Sequence, residues 1–556
     1  MDSNHYFTNE ELQSQLAEWA QSYPNLLRVE HLGHSYEGRP IPLAILTLQD
    51  NGVDRKKPAI WVDANIHATE ITGTTTALRL LDMLLKGYGE DQRITRLVKE
   101  CSFYIAPRLN PDGAALAMAD HPRYLRSGVR PYPWPEKEKG LYEEDIDGNG
   151  RILQMRIPDP NGDWKISSLD GRLMEKRGPA DFDGPFYRLL PEGRIENYDG
   201  FTIKMAPDWQ GLDFNRNFPF EWKPENDQVG AGPFPTSEPE IKAVADFFSN
   251  HHNINAALTY HTFSRAILRP FSTHPDEEME TEDLWVYKIL GSLGSQLTGY
   301  RNVSIFHDFK YHPKEVTYGG FDDWLYDYLG IFSFTIELWD LPTQAGIKDR
   351  KFIEWFREHP HEQDLQILQW IEANAKDGYV DWHSFEHPQL GKIELGGWDS
   401  MYTWVNPPAN YLGAEVELAA PLAIKLAELL PHLCMHTLQV SPLGEDQYHL
   451  NLVVENSGFL PSFTSKQAKK RKTVRPAFVE LDLPEGVRLV SGLRRCELGH
   501  LEGRSNKFDL AAVDAASPTD NRARLEWVLQ APAGTRLVVQ VKSERAGNLL
   551  EEVVLK

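Results

Sequence analysis

Four side chains stand where this chain could do chemistry. His67 and Glu70, three residues apart, close the stretch Trp61-Val62-Asp63-Ala64-Asn65-Ile66. His261 closes a second apolar stretch, 254–260, and Glu337 closes a third, 332–336. An imidazole and a carboxylate in the pattern H-x-x-E can reach one cation. That donor pair suits zinc, and a catalytic zinc needs a third protein ligand and a position left for water. The pattern alone is common by chance, so the rest of the chain must supply the third ligand, a base and a substrate clamp. Asp213-Phe214-Asn215-Arg216-Asn217 sets a guanidinium among amides. Such a fork is a receptor for a carboxylate because it binds both oxygens.

The elements that position these groups read as strands alternating with helices. Thr8 and Glu11 form the ends of a capping box, which predicts a helix over 8–21. Strands are expected near 28–32, 41–47, 61–66 and 102–107. After His67 and Glu70, Ala77, Leu78, Leu81, Leu84 and Leu85 share one face of a helix over 74–85. Ser237-Glu238-Pro239-Glu240 reads as another capping box with proline in the first turn, opening a helix that runs to 250. A helix over 282–297, the segment Gly319-Gly320-Phe321-Asp322-Asp323-Trp324, the Glu337 strand, and helices over 352–375 and 421–430 follow. Such alternation argues for a mostly parallel sheet, and open α/β sheets bind ligands at the carboxyl ends of their strands.

Two regions break the alternation. Residues 128–210, rich in Pro, Gly, Asp and Arg, read as an insertion of loops and short hairpins. Within it Asp145, Asp147 and Asn149 have the spacing that starts a calcium loop. Arg156 stands where an EF-hand would place its glutamate, so a tight hairpin is the alternative. From 433 onward the pattern turns to strand period with Pro-Gly turns, a β-sandwich of about 120 residues. Its basic run 466–472 reads as a solvated surface loop, with a docking or localisation patch as the alternative. The expected domains are 1–432 and 433–556.

Composition narrows the function. With 556 residues, 41% of them hydrophobic, and fifteen tryptophans, the chain can bury a large core. A net charge of −23 disfavours nucleic acid and is compatible with cationic substrates. Three scattered cysteines form neither a disulfide framework nor a thiolate metal site. No apolar run approaches the roughly 20 residues of a membrane span, and the first residues lack the features of a secretory signal. A cytoplasmic location is expected, with no membrane or nucleic-acid partner. The oligomeric state is left open.

Taken together, H-x-x-E, N-P-D-G at 110–113, D-x-N-R-N, S-E-x-E before a helix, His261 at a strand end, G-G-x-D-D-W and F-T-x-E-L resemble the zinc metallocarboxypeptidases of the carboxypeptidase A/B type over about 5–430. The resemblance implies an α/β/α sandwich around a mixed eight-stranded sheet, followed here by the C-terminal all-β sandwich. It implies one catalytic zinc on His67, Glu70 and His261. Glu337 corresponds to the general base that deprotonates the attacking water and passes the proton to the leaving amine. Arg126 corresponds to the arginine that polarises the scissile carbonyl, and Asn215 and Arg216 to the clamp on the C-terminal carboxylate of a peptide substrate. Asp322 falls at the side-chain pocket, where an acid resembles the B-type preference for C-terminal Lys or Arg. The family's mobile tyrosine falls on Glu315, which leaves Tyr318 and Tyr311 as substitutes. Trp339 stands where many relatives carry arginine, which alters the expected pocket rim. Two other readings use the same residues: a zinc amidase or deacylase acting on small N-acyl amino acids or cell-wall peptides, and an inactive peptidase body serving as a binding protein.

Overall fold

The alternating pattern resolves into one central sheet in a computed structural model that describes all residues except 52, 313 and 506–515. Among the described residues its strands are β1 (Leu27–His34), β2 (Pro40–Leu46), β3 (Ala59–Ala64), β4 (Ser102–Ala106), β5 (Ile254–Thr262), β6 (Ala266–Arg269), β7 (Arg301–Ser304) and β8 (Phe332–Leu338). They lie in the order β1-β2-β4-β3-β5-β8-β6-β7. Strands β4, β3, β5 and β8 are parallel. Antiparallel pairs at β1/β2, β2/β4 and β8/β6 make the sheet mixed.

Both faces of the parallel centre are covered, which is why its strands read as unbroken apolar runs. Ile60, Val62 and Ala64 of β3 pack into one core with Leu78 and Leu81. Ala59 and Trp61 point the other way, against Ile241, Val244 and Phe248. The first core includes helix α1 (Asn9–Ser22), whose Thr8–Glu11 capping box is formed on both sides, and helix α2 (Thr72–Gly87). Helix Pro239–Asn250 starts with proline as expected, but its capping box does not form. Tertiary partners claim the side chains instead: Glu238 takes the Arg130 guanidinium, and Glu240 accepts the Tyr36 amide.

The insertion is more ordered than a set of loops and hairpins. Strands Gln154–Pro158, Trp164–Ile166, Met174–Lys176 and Phe186–Pro191 join the distant hairpin Tyr379–His387/Gly391–Trp398 in a six-stranded sheet. The pairing Glu394↔Arg156 links the two segments, and the Arg156 guanidinium donates to the Glu394 carboxylate at 2.7 Å. Arg156 is therefore a sheet-pairing residue in a strand. The loop before it closes as a tight turn and gives calcium no support. Asp145 accepts the amides of Gly148, Asn149 and Gly150, and Asp147 accepts that of Asn149. Asn149 spends its own side-chain oxygen on the Arg151 amide. Glu192, whose carboxylate also approaches Asp145 and Asp147, is occupied by the amides of Ile146 and Leu153.

Beyond residue 432 the described strands form two four-stranded antiparallel sheets, with Leu450, Leu452, Val479, Trp527, Leu529 and Val539 between them. The basic run 466–472 is not a surface loop. Lys466–Arg471 is a short helix capped by Ser465. It is docked on the α/β body, because Asp283 accepts the amides of Lys466 and Gln467, and the Arg471 guanidinium reaches Asp327. Among the described residues, no helix is long and apolar enough to cross a membrane.

Candidate active site

Strand register brings the chemical groups together. In the β5/β8 pair His261 lies directly opposite Glu337, and Tyr260 of β5 lies opposite Ala64, the last residue of β3. Asn65 then turns the chain with φ of 57°, in the left-handed region that asparagine tolerates. Its amide donates to the carbonyl of His67 at 2.6 Å, while Arg108 donates to its oxygen at 3.1 Å. This brace fixes the turn that carries His67 and Glu70 back over the end of the sheet.

His67, Glu70 and His261, all buried, converge there. One Glu70 oxygen lies 2.9 Å from His67 Nδ1, the other lies 3.0 Å from His261 Nδ1, and the two Nδ1 atoms are 3.1 Å apart. Two imidazole nitrogens and a carboxylate aimed at one point are a donor set that fits zinc. The far nitrogen of His67, Nε2, lies 3.2 Å from Asp213. A carboxylate in that position fixes the tautomer and raises the basicity of a metal-binding imidazole. Asp213 was part of the D-x-N-R-N motif, but its task depends on a contact 146 residues away in the chain.

Asp213 also gathers the cations. Arg126 donates from Nε to Asp213 at 2.9 Å and from Nη1 to Glu70 at 3.4 Å, and Arg216 Nη2 is 3.9 Å from Asp213. Burial alone would raise the Asp213 carboxyl, but Arg126, Arg216 and His67 outweigh it and hold it well below the usual range. Burial would likewise lower Arg126, and the charges of Asp213 and Glu70 keep it cationic. Burial would raise Glu70, and the two histidines pull it down instead. Glu337 goes the other way: burial, and then the charge of Glu70, push its carboxyl well above the ordinary range against the opposing pull of Arg126.

Asn215 and Arg216 sit one step further out. The Asn215 side-chain oxygen accepts the Phe321 amide at 2.8 Å, and Arg216 donates to the Asn215 carbonyl at 2.8 Å. Gly319, at φ of 67°, passes so close to Arg216 that a Cβ there would lie 2.3 Å from the Arg216 carbonyl oxygen. The Gly-Gly pair thus lets the Asp322 segment approach Arg216. Asp322 is buried, with one oxygen accepting from Thr335 Oγ1 at 2.6 Å and the other unpartnered. Thr335 and Glu337 are two residues apart on β8 and share a face of the sheet. Lys310 does not neutralise Asp322, because its ammonium lies 3.2 Å over the Phe306 ring.

A cavity of about 420 Å³ opens over His67, Glu70, Arg126, His261 and Glu337. Tyr318 does not line it: its amide donates to Gln228 and its ring lies under the Lys223 ammonium. Tyr311 does line it, together with Phe263, Phe309, Phe352 and Phe356. This aromatic wall comes from three separate segments, and no spacing in the sequence announces it. Trp339 is not at a rim; it is fully buried, and its indole donates to the Thr403 carbonyl.

A family model described as zinc carboxypeptidase matches residues 12–357, more than half of the chain, and the chain belongs to that family. A second model, for a domain of unknown function, matches residues 432–554. Carboxypeptidase B2 of Rattus norvegicus is 24% identical over 358 residues, covering 63% of this chain and 66% of that protein. Carboxypeptidase A2 of Rattus norvegicus is 26% identical over 375 residues, covering 64% of this chain and 71% of that protein. The chain thus spans about two thirds of the length of these relatives. Among solved structures, bovine thrombin-activatable fibrinolysis inhibitor in complex with tick carboxypeptidase inhibitor matches with 22% identity and a TM-score of 0.39, covering 67% of this chain and 97% of that one.

Proposed function

We propose that this chain is a zinc metallocarboxypeptidase that removes the last residue of peptides with a free C-terminus, with a preference for Arg or Lys. The observation that carries the reading is the convergence of His67, Glu70 and His261 within about 3 Å of one another, with Glu337 opposite His261 on the next strand. His67, Glu70 and His261 would hold the zinc, which supplies Lewis acidity toward the scissile carbonyl and acidifies the attacking water.

The remaining work falls to the chain's own groups. Glu337, whose carboxyl burial raises, takes a proton from the attacking water and returns it to the leaving amine. Arg126, held cationic beside Glu70, stabilises the oxyanion as it forms. Arg216 and Asn215 bind the terminal carboxylate, which fixes the register so that only the last peptide bond meets the base. Asp322 meets the terminal side chain. A buried carboxylate oxygen without a partner is costly, and the cation of Arg or Lys relieves that cost.

The test is a panel of otherwise identical peptides with free and amidated C-termini, read by mass spectrometry. Loss of one residue from the free peptides and none from the amidated ones is expected. Equal cleavage of both would move the activity to the amidase class.

A further inference from the structure

The chain carries a second concave region, at the opposite end of the sheet. Strand β3 leads at one end to His67 and at the other to Lys56-Lys57-Pro58, and its six residues span roughly 20 Å. At the Lys56 end a crevice of about 690 Å³ separates the peptidase body, represented by Lys56 and Lys99, from Val541, Lys542, Leu549 and Leu550 of the β-sandwich. A second crevice of about 620 Å³, lined by Arg55, Arg475, Phe478 and Arg495, shares Lys542 and Asn548 with the first. The two adjoin at Lys542 and Asn548 and make one basic region at the junction.

Its charge is opposite to that of the molecule. Lysines and arginines outnumber carboxylates seven to three along the groove, in a chain whose net charge is −23. Some of these cations are already engaged. Lys57 turns its ammonium inward onto Thr47 and the Leu48 carbonyl, Lys542 pairs with Glu480, and Arg475 pairs with Glu544. Arg55, Lys56 and Lys99 are exposed and make no ion pair among the described residues. Between them lies apolar surface from the half-buried Leu549 and from Leu550, which is 67% exposed; Pro58, Leu433 and Val541 are buried.

That combination selects a class of ligand. A phosphate site usually gathers backbone amides at the N-terminus of a helix. Here helix Gln92–Glu100 presents its C-terminal end, where Lys99 and Glu100 lie. The cations are spread along the groove around Leu549 and Leu550. A basic rim around an apolar centre is the complement of an extended segment that alternates acidic and apolar side chains. We infer that the groove between the peptidase body and the β-sandwich docks an acidic, partly apolar peptide segment of a partner protein, away from the catalytic cleft. Occupancy there leaves the cavity over Glu337 open, so the enzyme can be held to a partner while it works.

The experiment uses the full chain and a fluorescein-labelled peptide of alternating glutamate and leucine, amidated at its C-terminus, in an anisotropy titration at low ionic strength. Saturable binding is expected, weakened by added salt and absent for the lysine–leucine counterpart. The double variant Lys56→Glu/Lys99→Glu should weaken it by about tenfold or more, while leaving the melting temperature and the turnover of a short free peptide unchanged. Three results would each overturn the inference: no saturable binding by the wild type, equal affinity in the double variant, or inorganic tripolyphosphate displacing the peptide as effectively as unlabelled peptide does. The last of these would make the groove a small-anion site.

Discussion

The proposed role of Asp322 permits a quantitative test. Burial pushes the Asp322 carboxyl up to about 6 from the ordinary 3.8, a penalty of about 3 kcal/mol on its charged form. Thr335 satisfies one oxygen, and the second has no partner. A guanidinium or ammonium bound there recovers that penalty, so about 3 kcal/mol of discrimination is available, roughly a hundredfold in kcat/KM. In Asp322→Asn the Thr335 bond can persist while the charge is lost. The variant should lose about a hundredfold in kcat/KM on peptides ending in Arg and change little on those ending in Leu. In the wild type, the Arg-to-Leu ratio of kcat/KM should rise with pH through about 6 as Asp322 ionises, and it should be flat in the variant. The ratio cancels ionisations shared by both substrates. Stability should move the other way. The native state holds the Asp322 proton more tightly than the unfolded chain, so this group makes folding less favourable as pH rises from about 4 to about 6. The variant should therefore melt higher than wild type at pH 7.5, with a smaller gain at pH 5. A wild-type preference for Leu over Arg, or an unchanged Arg preference in Asp322→Asn, would refute the reasoning.

Other perturbations separate the roles of the remaining groups. Glu337→Gln should retain zinc by elemental analysis while kcat falls by about 10²–10⁴-fold; near-normal turnover would remove Glu337 as the base. Asp213→Ala leaves the three proposed ligands in place but frees His67 Nε2, so zinc affinity, measured by competition with a chelator, should fall by about 10–100-fold. Arg545 of the β-sandwich is buried and donates to the carbonyls of Ile254, at the start of β5, and Leu329, just before β8. Arg545→Ala leaves those carbonyls without this donor and should cost about 3 kcal/mol in denaturant unfolding, while the chemistry at Glu337, at the far end of β8, is preserved in the folded fraction.

Local pattern determined much of the central architecture. Strands buried on both faces read as apolar runs whichever partners they find, so β3, β5 and β8 were legible, and the groups at their ends were named with them. The Thr8–Glu11 cap was legible because its partners are three residues apart. Features built from distant partners were not. Ser237 and Glu240 had the spacing of a cap, yet Glu238 and Glu240 met Arg130 and Tyr36, and those contacts prevailed. The hairpin over 379–398 gains its role only by pairing with the insertion. The run 466–472 lacks an apolar face and becomes a docked helix because Asp283 and Asp327 of the peptidase body supply its hydrogen bonds. Asp145, Asp147 and Asn149 had the spacing of a calcium loop, but how the carboxylates point was decided by the turn's own amides. Tyr318 and Tyr311 were equivalent in sequence; the fold turned one toward Lys223 and set the other in the cavity wall. The sequence thus determined which groups end the strands, because burial and periodicity are local properties of the chain. Only the tertiary structure decided their distances, the task of Asp213, the aromatic wall and the basic groove, because each joins segments whose separation in sequence carries no information about contact.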